Sequence, residues 1–389
     1  MARKQLLKAI NRVSILNVIK SHGPIARTDI AERTGLSPAT VTGLTAELIE
    51  DGLVQIKQAG DSRGGRRPIL LALDSRGAYV VGIKLAEEHA TLALTDLNAE
   101  VVTRRTVQLG ERDPEHVSHL LADSVRALLR AAGINQGHLL GVGVGLAGII
   151  DPQTGLCRVS PHNGWRDVPF AKLLEDELGC IVYLDNNVNT LTRIEQLYGV
   201  GQHVRDFLVI TIGRGIGMGI VANGQVYRGA HGGGGEFGHM VIDPDGLACG
   251  CGNQGCLETF VAEPWLLHRA RERGLDVAEA DDLIAAAQAG NAVALEVLAG
   301  AGRVLGQAMA SVVNLLNPRL IIISGEGVRA GDFMFAPMRE AAYRHMFAQL
   351  AEDVEIRIEP LSDDTWARGA ASLVLGKLFS LPELEPSLG

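Results

Sequence analysis

Apolar side chains in residues 6–20 (LLKAINRVSILNVIK) recur at helical spacing, and the His22-Gly23-Pro24 break predicts where that first helix stops. Thr28 is placed to cap a short second helix reaching Arg33, Gly35 supplies a turn, and Ser37 caps a third helix with Pro38 at its first position. In that third helix, from Pro38 to about Glu50, Val41, Leu44, Leu48 and Ile49 fall on the buried face. Ser37, Ala39, Thr40, Thr42, Gly43 and Thr45 fall elsewhere. The period then shortens from about 3.6 to about 2. Leu53 to Lys57 alternates as a strand, and Ile69 to Leu73 makes a second. Three helices followed by a hairpin predict a winged helix-turn-helix.

From about Tyr79 the pattern changes again. Apolar runs at 79–85, 90–96, 139–147, 181–185, 207–212, 217–222 and 319–323 predict strands, separated by helical stretches at 114–132, 188–198, 262–273, 291–316 and 331–347. This alternation predicts an α/β body of two lobes with a cleft between them. The expected domains are 1–75, 76–199 and 200–389, with a C-terminal helix returning to the first lobe. The length of 389 residues agrees, because single cores stop growing near about 250–300 residues. No apolar run is read as approaching the ~18 residues of a spanning helix, and the first twenty residues are too polar and periodic for a signal peptide. No membrane segment and a cytoplasmic location are expected.

Charge divides the chain as the pattern does. Residues 1–74 hold eleven Lys/Arg and seven Asp/Glu, net +4, so an overall −9 leaves −13 on the remainder. A basic module on an acidic body suggests a polyanion-binding part joined to a part that binds something else. Small polar residues open the third helix, where Ser37, Ala39, Thr40 and Thr42 suit entry into a DNA major groove. Between the two wing strands, Arg63, Arg66 and Arg67 lie on a glycine-rich arm suited to a narrow minor groove. Double-stranded DNA is therefore the expected partner.

His239, Cys249, Cys251 and Cys256 are gathered into eighteen residues, with only Cys157 and Cys180 elsewhere. Three thiolates and one imidazole are the donor set of a closed tetrahedral Zn²⁺ site, which leaves no position for an activated water, so a structural zinc is expected. Gly250, Gly252 and Gly255 are expected to supply positive φ for the turns around the ion.

Leu146-Ala147-Gly148-Ile149-Ile150-Asp151, the Thr211 to Gly219 glycine loop, Gly235-Glu236-Phe237-Gly238-His239 and the Cys249 to Glu258 segment resemble the ROK family of repressors and sugar kinases. The resemblance covers residues 1–380 and implies the actin-like, hexokinase-like fold. With a winged helix-turn-helix in front, the arrangement is similar to that family's xylose-type and N-acetylglucosamine-type repressors. By resemblance, Asn163, Asn186, Asn187, Glu236, His239 and Glu258 would surround a monosaccharide, with xylose, glucose and N-acetylglucosamine all open. His239 would serve twice, one ring nitrogen on zinc and the other on a sugar hydroxyl.

The departures from the kinase pattern point away from an enzyme. Where family kinases carry Asp-x-Gly-Gly-Thr, this chain has Lys84-Leu85-Ala86-Glu87-Glu88, setting two carboxylates where phosphate would lie. Where they carry Asn-Asp-Ala-Asn, it has Asn186-Asn187-Val188-Asn189, and an amide cannot be a general base. The Thr211–Gly219 loop can be read as a phosphate cradle or as a hairpin. Ser324-Gly325-Glu326-Gly327 resembles the adenosine-side turn with a glutamate intruding. No catalytic residue is expected. The expected function is a repressor of carbohydrate uptake or catabolism genes, dimeric or tetrameric, released from DNA by a monosaccharide. The alternative is an ATP-dependent sugar kinase with an appended DNA-binding domain.

Overall fold

A computed structural model describes residues 3–57, 69–361 and 364–379. Among these, one compact unit holds the residues up to Ala147, Asp151–Asp185 and those from Trp366, and a second holds Gly148–Ile150 and Asn186–Thr365.

The first unit begins with helices Arg3–His22, Arg27–Thr34 and Pro38–Glu50. Ile15, Leu16, Ile19, Ile30, Val41 and Leu48 are all at most 1% exposed and form the small core that these helices share. Strands Val54–Lys57 and Leu70–Leu73 pair antiparallel, and a two-residue strand, Ile25–Ala26, joins the outer side of Leu70–Leu73. That third strand has no sequence signature, because two residues are too few to show a period.

Three local expectations need correction. The second helix starts at Arg27 behind an extended Ala26 with no side-chain cap; Thr28 lies inside its first turn with its hydroxyl on Asp29. Thr45 is fully buried rather than presented, since its hydroxyl donates to the Thr42 carbonyl and accepts from Arg27 Nε. Ile49 is only half-buried. Arg63, Arg66 and Arg67 lie outside the described residues.

The two α/β bodies share one wiring. In the first unit, Tyr79–Leu85, His89–Thr95 and Val101–Gln108 form an antiparallel meander, and Leu139–Leu146 and then Val182–Asn186 are added beside its first strand. In the second unit, Phe207–Ile212, Ile216–Ala222 and Gln225–Tyr227 form the meander, and Leu320–Ser324 and Glu355–Ile358 are added in parallel beside its first strand. Val101–Gln108 was not expected, because its VVTRRTVQ sequence is polar on an edge strand with no buried residue.

Close approach is built from glycine in both units. A Cβ at Gly82 or Gly143 would stand 1.8 Å from the carbonyl of Ala367 or Ala370, so the helix Thr365–Phe379 lies directly on the first sheet. In the second unit, Gly302 and Gly306 let Ala292–Leu316 press against the backbone at Met334 and Met338 of Asp332–His345. Ala292–Leu316 also corrects the expectation that no run is apolar enough to span a membrane, since it passes that test by length and composition. Leu298, Ala301, Leu305, Met309 and Val313 are buried in the second unit's core, which accounts for its apolarity.

Candidate functional site

The His239–Cys256 segment is anchored in the second unit's core by Phe237, 1% exposed, and Leu257, fully buried. Between these anchors the chain curls on itself. Gly255 N–H donates to Leu247 O, Ile242 and Asp243 N–H donate to Gly255 O, and Leu257 N–H donates to Met240 O. Cys249 N–H closes the tip on Asn253 O at 2.7 Å. Gly252 and Gly255 have φ of +98° and +60°, as expected, while Gly250 has no positive φ and open space around it. At Gly255 a Cβ would stand 1.5 Å from the Asp243 carbonyl oxygen.

This curl brings His239, Cys249, Cys251 and Cys256 together, with every donor atom within 4.8 Å of the others. His239 Nδ1 is 3.6 Å from Cys249 Sγ, and Cys251 Sγ is 3.7 Å from Cys256 Sγ. A tetrahedral ion with bonds of about 2.3 Å to sulfur and about 2.05 Å to nitrogen sets such pairs about 3.6 Å and about 3.8 Å apart. The donor set and its spacing thus fit a metal ion such as zinc. Burial pushes the Cys256 thiol up to about 12, and the hydrogen bonds its S–H donates to the Cys251 and Cys249 sulfurs reinforce the shift. Burial also raises Cys249. A cation among the sulfurs reverses that direction by favouring thiolate.

His239 faces two ways. With Nδ1 toward the thiols, its Nε2 lies 3.9 Å from Glu236 Oε2. Partial burial raises the Glu236 carboxyl above its ordinary value; His239 opposes the shift and the Glu258 carboxylate adds to it. Glu258 opens a short helix, Glu258–Val261, and its Oε2 accepts from Ile216 N–H at 3.0 Å, tying it to the Gly213–Ile216 turn.

The other expected contacts are distributed differently. Asn186 is engaged at both ends of its side chain, donating to Gly148 O at 2.9 Å and accepting from Val188 N–H at 2.8 Å as the cap of Asn187–Tyr198. Asn187 is the first residue of that helix, half-buried, with Oδ1 3.1 Å from Val188 N. Asn163 belongs to the first unit, is 5% exposed, and donates to Ser160 Oγ at 2.9 Å.

The Thr211–Gly219 loop is a hairpin: Gly213 N–H donates to Gly215 O, and the flanking strands pair from Phe207↔Val221 to Ile212↔Ile216. Its later glycines serve packing, since a Cβ at Gly217 would meet Val188 and one at Gly219 would meet Thr192 at 1.8 Å. A Cβ at Gly213 would stand 2.6 Å from Glu326 Oε2, so a carboxylate lies beside the turn. In the first unit, Glu87 accepts from Arg112 at 3.1 Å, and Arg112 also donates to His162 O at 2.9 Å. Lys84 sits over the Trp366 ring at 4.6 Å. No motif or periodicity marks Arg112, which lies fifty residues from the His162 carbonyl it holds.

In the N-terminal module, Ser37 caps the third helix by accepting from Thr40 N–H at 3.2 Å, and Ser37 and Ala39 are exposed at its start. Thr40 is half-buried, its hydroxyl 2.8 Å from Ser37 Oγ; exposed Thr42 donates its hydroxyl to Pro38 O and keeps its lone pairs for outside donors. Lys8–Glu47 and Arg12–Asp51 join the first helix to the end of the third.

The ROK family pattern matches residues 80–377, and a winged helix-turn-helix DNA-binding pattern matches residues 9–55. The chain belongs to the ROK family. Its ROK relatives include the xylose repressor of Caldicellulosiruptor bescii, 30% identical over 98% of this chain and 100% of that protein. They also include the DNA-binding transcriptional dual regulator NagC of Escherichia coli K12, 32% identical over 86% of this chain and 85% of that one. Among solved structures, a ROK family transcriptional regulator homologous to E. coli MLC superposes with a TM-score of 0.87 at 27% identity, covering 96% of this chain and 97% of that one. A ROK hexokinase from Thermus thermophilus superposes with a TM-score of 0.66 at 30% identity, covering 76% of this chain and 97% of the enzyme. This ROK chain is thus a transcriptional regulator by architecture, with a winged helix-turn-helix ahead of the two-lobed ROK fold.

Proposed function

We propose that this chain is a cytoplasmic, sugar-responsive DNA-binding repressor, and that its effector is a free monosaccharide held at the Glu236–His239–Glu258 face of the second unit. The xylose repressor matched over 98% of this chain and the dual regulator matched over 86% of it support the regulatory part. The observation that carries the sugar part is His239, whose two ring nitrogens face different partners, thiols on one side and Glu236 on the other. A zinc held by His239, Cys249, Cys251 and Cys256 supplies a fixed cross-link and no open coordination position. With Nδ1 committed to the metal side, Nε2 carries the proton and is a donor of fixed direction. Glu236 and Glu258 are acceptors beside it, and a sugar hydroxyl needs both kinds of partner once it leaves water.

Phosphoryl transfer is not part of this proposal. Asn187 stands where the family's kinases place their base, and an amide cannot take the hydroxyl proton, a role contributing about 10²- to 10⁴-fold in rate. Glu326 sets a carboxylate beside the Gly213 turn, and the segment that resembles the first phosphate loop carries Glu87, already paired with Arg112, in place of glycine. DNA release then needs only a coupling of about 1–3 kcal/mol between sugar and operator binding. Operators read by helix-turn-helix proteins are two-fold, so the active species is a homodimer or homotetramer.

Thermal unfolding against a panel of free and phosphorylated monosaccharides tests the reading, followed by a DNA titration at fixed salt with the best sugar. A sugar present at about 100 times its Kd stabilises by about 2.7 kcal/mol. The expected result is one free monosaccharide that raises Tm, loses that effect in Glu258→Gln, and weakens DNA binding. No shift with any sugar sinks the sensor reading. Turnover of ATP by the wild-type chain would establish the kinase alternative, with Asn187→Asp as the comparison.

A further inference from the structure

The second unit carries a concavity of about 520 Å³ at the amino ends of its three parallel strands, away from the glycine hairpin at their carboxyl ends. Arg205, Arg319 and Arg357 line it together with Asp206 and Glu355. Their convergence follows from sheet geometry. Arg319 precedes Leu320, which pairs with Phe207 on one side and Glu355 on the other, and Asp206 precedes Phe207. On the edge strand, Glu355 and Arg357 alternate with buried Ile356 and so share its exposed face.

The charges there are only partly matched. Arg357 Nε donates to Glu355 at 2.6 Å, and Asp206 Oδ1 accepts from Asn223 N–H at 2.7 Å. The guanidinium groups of Arg205 and Arg319 make no ion pair or hydrogen bond among the described residues. Three arginines in one concavity also run against the −13 carried by residues 75–389. We propose that this concavity is a second effector site, and that it takes a small phosphate monoester bearing hydroxyl groups, such as a phosphorylated sugar. Guanidinium forks bind a phosphoryl group through paired N–H donors, and the two carboxylates accept from hydroxyls on the same ligand. The volume lies within the range of sites for small metabolites, about 300–1,000 Å³. The site is independent of the monosaccharide reading, since it shares no residue with the His239 face.

The test is calorimetric titration of the full-length, metal-replete protein at fixed salt with inorganic phosphate, glucose 6-phosphate and glucose. The variants are Arg205→Gln/Arg319→Gln, Arg357→Gln and Glu258→Gln. Saturable binding of glucose 6-phosphate, weaker binding of inorganic phosphate, and a loss of at least about tenfold in the double arginine variant are expected. Arg357→Gln, one exposed substitution on an edge strand, should weaken binding in the same direction, and Glu258→Gln should leave it unchanged. Equal affinity in the arginine variants, loss of glucose 6-phosphate binding in Glu258→Gln, or no saturable binding of either phosphate compound overturns the proposal. Glucose binding that survives the arginine substitutions would confirm that the His239 face is a separate site.

Discussion

Gly255→Ala and Gly250→Ala form a matched pair within one loop, and the structure expects opposite results from them. At Gly255, φ is +60°, and a Cβ would stand 1.5 Å from Asp243 O and 2.5 Å from Asp243 C. The clash is with backbone, so no rotamer relieves it. The left-handed conformation costs a residue bearing a Cβ about 1–2 kcal/mol. Displacing Asp243 also strains the Gly246 N–H to Asp243 O bond and the two bonds that Ile242 and Asp243 donate to Gly255 O. Losing one or two of these, at about 0.5–1.5 kcal/mol each, brings the total to about 3 kcal/mol. For a unit of this size that is roughly 6–12 °C in Tm. Cys256 is the next residue, so metal retention should fall too. At Gly250 nothing lies within 4 Å of an added Cβ, and the substitution should change stability by no more than about 0.5 kcal/mol. The assay is thermal unfolding together with zinc released to a chromogenic chelator. Equal effects at the two glycines, or a Gly255→Ala protein with wild-type Tm and full metal, would refute the account of this loop.

Three further outcomes are expected. Gly143→Ala places a Cβ 1.8 Å from the Ala370 carbonyl oxygen and should destabilise the first unit by about 1–3 kcal/mol or more, seen as an earlier melting transition. Ser37→Ala should cost about 1 kcal/mol through the lost cap, whereas Ser37→Asp should keep helix stability by circular dichroism yet weaken DNA binding, because in the proposed DNA contact its carboxylate would repel phosphate. Cys157 is fully buried, and its thiol is pushed up to about 12 by burial and by Asp167, so it should stay unmodified by a thiol reagent at pH 8 until the protein is denatured, as mass spectrometry of the digested protein would report.

Elements governed by local chemistry could be read directly. The third helix begins where Ser37 and Pro38 place it, and the strands at Tyr79–Leu85, Phe207–Ile212 and Leu320–Ser324 were legible because runs of Val, Ile and Leu buried on both faces are visible without any partner. The metal-ligand set was legible for a similar reason, since four soft donors in eighteen residues need only a tight curl to meet. Elements defined by their neighbours were not. Val101–Gln108 is a strand because His89–Thr95 offers it an edge, and Thr28 fails as a cap because Ile25–Ala26, held extended against Leu71 and Leu70, moves the helix start to Arg27.

The sequence by itself therefore determined which chemistry is present: hydroxyls at the start of the third helix of a winged helix-turn-helix, three thiols and an imidazole within one segment, and a run of amides at Asn186, Asn187 and Asn189. Only the tertiary structure decided how those groups are spent. It showed that Gly255 and not Gly250 is sterically required, that Gly217 and Gly219 make room for Val188 and Thr192, and that Asn186 is committed to Gly148 and Val188. It also gathered Arg205, Arg319 and Arg357 from segments far apart in the chain. The physical reason is range: caps, turns and clustered ligands act over a few residues of backbone, while close packing, hydrogen-bond commitment and charge convergence depend on which distant segments the sheet brings side by side.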